Sequence, residues 1–112
     1  MEVLNINLSE DNSTFVVGHI KGFWVYDSSN FKLLVNREFK GGVGFIRIIE
    51  NSNIFVLRGG GINPAFPIDK LILWDEDQNN VVTEVKFKSR LVSFSYSCSK
   101  ILARTTTDVF LF

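Results

Sequence analysis

Residues 58–75 read RGGGINPAFPIDKLILWD, and this stretch decides the fold because it joins one long loop to one strand. Three glycines followed by two prolines exclude a helix or a central strand, since glycine costs backbone entropy there and proline removes a ladder donor. The apolar run from Leu71 to Trp74, closed by Asp75, predicts a buried strand that leaves the loop. We therefore expect the loop to be an insertion in a regular pattern of short strands.

The residues around this stretch predict short strands joined by turns. In the first part of the chain, alternating or continuous apolar runs predict a four-stranded antiparallel meander at 2–8, 13–18, 23–27 and 32–39. In the second part, the expected strands are 44–50, 53–59, 70–75 and 81–87, with Asn51-Ser52 as a tight hairpin. The third part predicts strands at 90–97, 100–104 and 108–112 and lacks a fourth.

The strand ends recur in register along the chain. Tyr26-Asp27 matches Trp74-Asp75 at an offset of 48 positions, and Phe39-Lys40 matches Phe87-Lys88 at the same offset. A four-stranded unit repeated every 40 to 50 residues or so is the signature of a β-propeller. The prediction is an all-β, partial, WD40-like propeller with blade one at 2–39, blade two at 42–87 and an incomplete blade three at 90–112.

Propellers close with roughly four to eight blades, whereas this sequence supplies two and three-quarters. We expect a portion of a longer propeller; blades from another chain, or strands rearranged into a sandwich, are the alternatives. Each large apolar side chain left bare on a terminal blade forgoes roughly 1.5 to 3 kcal/mol of burial. The isolated chain is therefore expected to be marginally stable or prone to association.

The amino-acid composition argues against several classes of function. Twelve basic residues balance twelve acidic ones, which argues against nucleic acid as the main partner. No membrane-spanning run and no signal segment are visible, so a cytoplasmic protein is expected. Cys98 is the only cysteine and is expected to be a small semi-buried residue, while the single histidine, His19, is expected in a surface turn. No catalytic, metal or cofactor constellation is visible, so a non-enzymatic protein without a cofactor is predicted.

The loop and its flanks resemble the second blade of the PROPPIN family. The resemblance covers 53–67, the run from Lys70 to Asp75, the glycines of 41–44, and residues 22–26 and 109–110. It implies a seven-bladed propeller that binds phosphatidylinositol 3-phosphate or 3,5-bisphosphate and acts as an autophagy scaffold, peripheral on autophagosomal precursor or endosomal membranes. The alternative is a generic WD-repeat protein-interaction module without lipid binding.

The resemblance also implies where ligands bind. The family binds lipid through an Arg-Arg-Gly motif on a later blade, and no Arg-Arg pair occurs in this sequence, so no lipid-binding residue is assigned here. Arg58 is expected either in solvent or paired with an acid such as Asp69, and Phe66 is expected to pack on its own blade. The family's surface for an autophagy lipid-transfer protein maps by resemblance onto Ser9, Glu10, Asp11, Pro67, Ile68 and Asp69.

Overall fold

The computed structural model describes residues 1–49, 52–97 and 99–112, and every regular element in them is a β-strand. The strands are β1 (Val3–Leu8), β2 (Thr14–His19), β3 (Gly22–Asp27), β4 (Leu33–Glu38), β5 (Gly42–Ile48), β6 (Ile54–Gly60), β7 (Lys70–Asp75), β8 (Asn80–Lys86), β9 (Leu91–Ser97), β10 (Lys100–Thr105) and β11 (Val109–Leu111). In this part of the chain no helix is long and apolar enough to cross a bilayer. The expected hairpin residue Asn51, the end of the fifth predicted strand at Glu50, and Cys98 lie outside the described residues.

The strands form three antiparallel sheets that follow the chain. Sheet I has the order β1-β2-β3-β4, sheet II the order β5-β6-β7-β8, and sheet III the order β11-β10-β9. The first strand of each sheet lies toward the inside of the arrangement, because β1 packs beside β5 and β5 touches β9. This arrangement of sheets as propeller blades that do not close a ring confirms the predicted fold class.

A β-bulge recurs near the start of the inner strand of every sheet. The pairing skips Leu4 in β1, Gly44 in β5 and Val92 in β9. A bulge adds one unpaired residue and increases local twist, so all three sheets bend at the same place. The bulges also fix which residues of the three sheets are equivalent.

Two apolar clusters fill the seams between the sheets. We call the face of a sheet that lies toward the preceding sheet its front and the opposite face its back. The first cluster joins the back of sheet I to the front of sheet II: Val16, Phe23, Val25, Val43, Ile46, Ile48, Phe55, Leu57, Ile72 and Trp74. The second joins the back of sheet II to sheet III: Val56, Leu71, Phe87, Leu91, Phe94 and Ala103.

Aromatic rings close the outer part of each seam in the same way. Phe39, which follows sheet I, meets Trp74 edge-on with ring centroids 5.1 Å apart. Phe87, which follows sheet II, lies 5.0 Å from Phe110 and 6.2 Å from Phe112. Edge-on and tilted aromatic pairs add to the energy of burial, so these rings help to fix the spacing of the sheets.

His19 is not in a surface turn, which corrects the expectation from sequence. The turn needs only Ile20 and Lys21, so β2 extends through His19, which pairs with Gly22. The imidazole is 1% exposed, its ring centroid lies 4.2 Å from that of Trp24, and its Nδ1 accepts the Lys21 N–H. Burial disfavours the charged imidazolium and lowers the pKa of His19, although the nearby Glu38 carboxylate opposes this shift.

Candidate partner-binding surface

The turn between β1 and β2 carries the first predicted partner segment. The Ser9 hydroxyl is buried, donates to Asp11 Oδ1 at 3.0 Å and accepts the Thr14 N–H at 3.1 Å. Asp11 Oδ1 also accepts the backbone N–H and the hydroxyl of Ser13, at 3.0 and 2.7 Å. Ser9 and Asp11 therefore hold the turn in shape, and the side chain of Glu10 is exposed beside them.

The long loop between β6 and β7 carries the second segment, and its first half is fixed to the start of β5 and to the linker that precedes it. The Gly42 N–H donates to the Asn63 carbonyl at 2.8 Å, and the Ala65 N–H donates to the Gly42 carbonyl at 2.9 Å. The Asn63 side-chain amide donates to the Lys40 carbonyl at 3.1 Å. A Cβ on Gly41 would lie 2.3 Å from the Asn63 carbonyl oxygen, so this close approach requires glycine.

The second half of the loop is fixed to the linker between sheets II and III and to the first residue of β9. The Phe87 N–H donates to the Asp69 carbonyl at 2.8 Å, and the Leu91 N–H donates to the Ile68 carbonyl at 3.1 Å. Pro67 and Ile68 expose their side chains, and Asp69 is half-buried. The backbone of the loop thus bridges both linkers while two apolar side chains face outward.

Phe66 packs inward, as predicted. Its ring centroid lies 5.4 Å from that of Phe39, and it packs on the cluster that contains Phe55 and Trp74 of its own sheet. A Cβ on Gly59 would lie 1.8 Å from the Phe66 carbonyl oxygen, so glycine lets the loop return against β6. Phe66 is an anchor of the loop and not part of its exposed surface.

The structure does not bring the two predicted segments together. The turn containing Ser9 follows the end of β1, whereas Leu4, near the start of β1, lies against Gly61 of the loop. The opposite ends of a six-residue strand are roughly 20 Å apart. A partner that contacts both segments has to span the length of a blade, and contact by each segment remains a prediction.

Arg58 is neither in solvent nor paired with Asp69, which corrects the expectation from sequence. It is 8% exposed, and its Nη1 donates to the carbonyls of Leu91 and Val92 at 2.7 and 3.0 Å, while its Nε donates to the Gly59 carbonyl at 3.0 Å. Burial, together with the positive charge of Arg90, lowers the pKa of Arg58. The guanidinium ties sheet II to the bulge at the start of sheet III.

A second polar contact ties sheets I and II at their outer edge. Arg37 on β4 donates through two nitrogens to the Glu76 carboxylate, which also accepts the Trp74 indole N–H at 2.9 Å. Burial alone would raise the pKa of Glu76, but the hydrogen bonds from Arg37 and Trp74 outweigh it and lower the pKa. A bidentate arginine–carboxylate pair is the strongest common geometry for such a contact.

In the described ranges, no group of three or more histidine, cysteine, aspartate or glutamate side chains is placed to hold a metal ion. The candidate surface consists of two connecting segments that are carried on the ends of the strands. The sequence did not predict that Gly41 and Asn63 fix the loop. The glycine at 41 was visible in the sequence, but its partner across the seam was not.

Sequence comparisons identify relatives over the full chain. SVP1-like protein 2 of Debaryomyces hansenii is 30% identical over 117 aligned positions that cover all of this chain and 27% of the relative. SVP1-like protein 2 of Pichia angusta is 36% identical over 81% of this chain and 26% of the relative. Autophagy-related protein 18e of Arabidopsis thaliana is 24% identical over the whole chain and 31% of the relative. This chain thus spans about a quarter to a third of the length of these relatives; no protein-family model matches it.

Solved structures show the same fold. Kluyveromyces lactis Hsv2p superposes with a TM-score of 0.83 at 19% identity, over all of this chain and 33% of that protein. KlAtg21, solved in complex with the coiled coil of AgAtg16, superposes with a TM-score of 0.78 at 14% identity, over all of this chain and 36% of that protein. These neighbours show the shared fold, and the two sequence relatives at 30% and 36% identity show that the chain belongs to the PROPPIN family of β-propeller proteins.

Proposed function

We propose that this chain supplies the protein-binding side of an autophagy scaffold and that its partner is a lipid-transfer protein. In this proposal the three sheets are blades at 2–39, 42–87 and 90–112 of a seven-bladed propeller. The scaffold is cytoplasmic and lies peripherally on autophagosomal precursor or endosomal membranes. Its relatives in autophagy support the setting, and the two loop segments supply the surface.

The observation that carries the proposal is the fixed conformation of the loop at 61–69. Five hydrogen bonds tie the loop to its surroundings: three join Asn63 or Ala65 to Lys40 and Gly42, and two join Ile68 and Asp69 to Leu91 and Phe87. Pro67 and Ile68 are displayed on this frame with their side chains exposed. A loop whose backbone is already fixed by hydrogen bonds has less entropy to lose on docking, which favours its use as a recognition surface.

We further propose that phosphoinositide binding requires an arginine pair that this sequence does not contain. Its five arginines are all separated in sequence. Three of them already have protein acceptors: Arg37 binds Glu76, Arg47 donates to the Phe94 carbonyl, and Arg58 donates to main-chain carbonyls. These acceptors use donors that a phosphate would otherwise need.

The protein-binding proposal is tested by coprecipitating the chain with the autophagy lipid-transfer protein. Each segment is changed separately because they lie at opposite ends of the strands: Glu10→Arg in the turn and Ile68→Glu in the loop. Both side chains are exposed, so neither change should disturb the fold. Matched controls are Gln78→Arg, in another exposed turn, and Val82→Glu, at an exposed valine of β8. We expect at least one segment variant to lose the partner and both controls to keep it.

Failure of the unchanged chain to bind this partner would contradict the proposal and favour a generic WD-repeat interaction module. The lipid proposal is tested by sedimentation with vesicles that contain phosphatidylinositol 3-phosphate, compared with vesicles that contain phosphatidylinositol. We expect no preference from this chain alone. A clear preference would place a lipid site on these three sheets and contradict the proposal.

A coiled-coil protein is the second candidate partner. One structural neighbour, KlAtg21, is solved in complex with the coiled coil of AgAtg16. The same segment variants distinguish the two partners when each is offered separately. Binding of a coiled coil, without binding of the lipid-transfer protein, would favour the second candidate.

A further inference from the structure

The end of β8 and the linker that follows it carry alternating basic residues beside the exposed part of the loop. Residues 86–90 read KFKSR, and three of their side chains are exposed and basic: Lys86, Lys88 and Arg90. Hydrogen bonds from the N–H groups of Phe87 and Leu91 to the carbonyls of Asp69 and Ile68 hold this segment against the loop. The cations therefore lie next to the side of the loop that exposes Pro67 and Ile68.

The positive charge of this segment is not neutralised by ion pairs. Within the described residues, neither Lys88 nor Arg90 pairs with a carboxylate. Arg90 lies close enough to the buried Arg58 to lower its pKa, and the hydrogen bonds of Arg58 go to main-chain carbonyls. Like charges held together in this way create a positive potential that attracts anionic groups.

The carboxylates that adjoin the segment are fewer than its cations. Asp69 lies in the loop, and Asp108 lies in the turn between β10 and β11, which contacts Ser89 through the Thr107 hydroxyl. They are outnumbered by the four cations of the region: Arg58, Lys86, Lys88 and Arg90. Because sheets II and III flank the segment on both sides, its exposure does not come from the outer face of sheet I or of sheet III.

We propose that the partner segment that docks here is an acidic peptide with an apolar side chain next to its carboxylates. Lys88 and Arg90 bind the carboxylates, while Pro67 and Ile68 contact the apolar side chain; we call these four residues the loop-linker patch. The inference rests on the proposed function, because it takes the loop at 61–69 as a binding surface. It adds two residues of the linker and the chemistry of the partner.

The apolar half of the loop-linker patch favours a peptide over a free anion. Ile68 is 42% exposed, and Pro67 is exposed beside it. An exposed ion pair contributes little to affinity by itself, so burial of apolar side chains has to supply most of the binding free energy. Inorganic phosphate has no apolar group, whereas a peptide carries carboxylates and apolar side chains together.

Two opposite charges at one position measure the charge of the partner. The probe is a peptide selected on the unchanged chain from a display library of random short sequences, and we expect it to carry aspartate or glutamate beside a large apolar residue. Ile68→Lys and Ile68→Glu remove the same apolar contact, but only glutamate repels an acidic peptide. Ile68→Glu should therefore raise the dissociation constant about fivefold or more above that of Ile68→Lys.

Changes in the linker test the assigned cations. Lys88→Glu replaces an attraction by a repulsion and should raise the dissociation constant of the selected peptide about tenfold, whereas Lys88→Arg should keep binding. Arg90→Gln should weaken binding about threefold. The matched control is Lys32→Glu, at an exposed lysine in another turn, which should bind like the unchanged chain. If Arg90→Gln unfolds by circular dichroism, the two variants of the exposed Lys88 carry the test.

Offering the autophagy lipid-transfer protein to the same variants separates this inference from the proposed function. If that protein binds Ile68→Lys and Ile68→Glu equally and is unaffected by Lys88→Glu, the proposed function stands and this inference is overturned. Acidic peptides that depend on Lys88, without binding of that protein, support the inference and contradict the proposed function. A selection that yields no acidic peptide overturns the inference, and sedimentation with phosphatidylserine vesicles that is lost in Lys88→Glu would then assign the loop-linker patch to a membrane.

Discussion

Truncation of Arg58 should destabilise the chain more than any other single loss of charge. Arg58→Ala leaves the carbonyls of Leu91 and Val92 without their donor inside the seam between sheets II and III. An unsatisfied buried acceptor costs roughly 1 to 3 kcal/mol, so we expect the free energy of unfolding to fall by about 3 kcal/mol. For a chain of this length, that corresponds to a midpoint of thermal unfolding lower by roughly 10 to 15 °C.

Urea unfolding followed by circular dichroism, at low protein concentration, measures this loss. Arg104→Ala is the matched control, because Arg104 is exposed and pairs with Ser93 beside the bulge of β9 as Arg58 pairs with Phe45 beside the bulge of β5. Its loss should cost less than about 0.5 kcal/mol. Arg58→Met keeps most of the volume and removes the cost of burying a charge, so its loss should be smaller, about 1 to 2 kcal/mol. Equal losses in Arg58→Ala and Arg104→Ala would refute the assignment of Arg58 as the tie between the sheets.

Three further changes probe other contacts. Burial lowers the folded-state pKa of His19, so the unfolded chain binds the proton more readily. The free energy of unfolding should therefore fall as pH drops through the unfolded pKa near 6.5. Urea unfolding of His19→Phe at a series of pH values should lack this part of the pH dependence. The hydrogen bond from Arg37 also lowers the folded-state pKa of Glu76, so the ionised carboxylate stabilises the fold above the unfolded pKa near 4.5 and this contribution is lost on further acidification. Glu76→Gln should lower the free energy of unfolding at neutral pH and make that free energy less sensitive to acid. Gly59→Ala should cost about 1 to 3 kcal/mol in urea unfolding, because its Cβ would overlap the Phe66 carbonyl, and an unchanged midpoint would contradict this contact.

The repeat was readable from sequence because strand ends in a propeller are marked by residues with distinct chemistry. The predicted strand at 70–75 coincides with β7, and the other predicted strands that lie wholly in described residues end within two residues of those observed. Alternation, turn residues and the match of Tyr26-Asp27 to Trp74-Asp75 depend only on neighbours in sequence. Such local signals suffice for strands, their order and the three-sheet arrangement.

The burial of His19 and Arg58 could not be predicted from local sequence patterns. A polar residue at a strand end is usually exposed, but β6 is covered on both faces, and burial there depends on sheet III. The bulges make Arg58 the counterpart of Gly18, but the sequence offset of 48 positions does not match these two residues, so their equivalence was visible only in the structure. The route of the loop at 61–69 depends on acceptors more than 20 residues away, such as the Lys40 carbonyl. No local pattern encodes that contact.

One position of the repeat explains how the two seams differ. Gly18 on the back of sheet I leaves no room for a side chain, since its Cβ would lie 2.4 Å from the Val43 carbonyl oxygen. Arg58 at the equivalent position of sheet II instead reaches the Leu91 carbonyl through its guanidinium. The seam between sheets I and II therefore closes by direct contact of the backbones on the inside and by the Arg37–Glu76 ion pair on the outside. In the seam between sheets II and III, the charged contact is that of Arg58 and lies on the inside. Because protonation removes the charge of Glu76 and leaves that of arginine unchanged, acid should loosen the first seam at its outer edge before it affects the second.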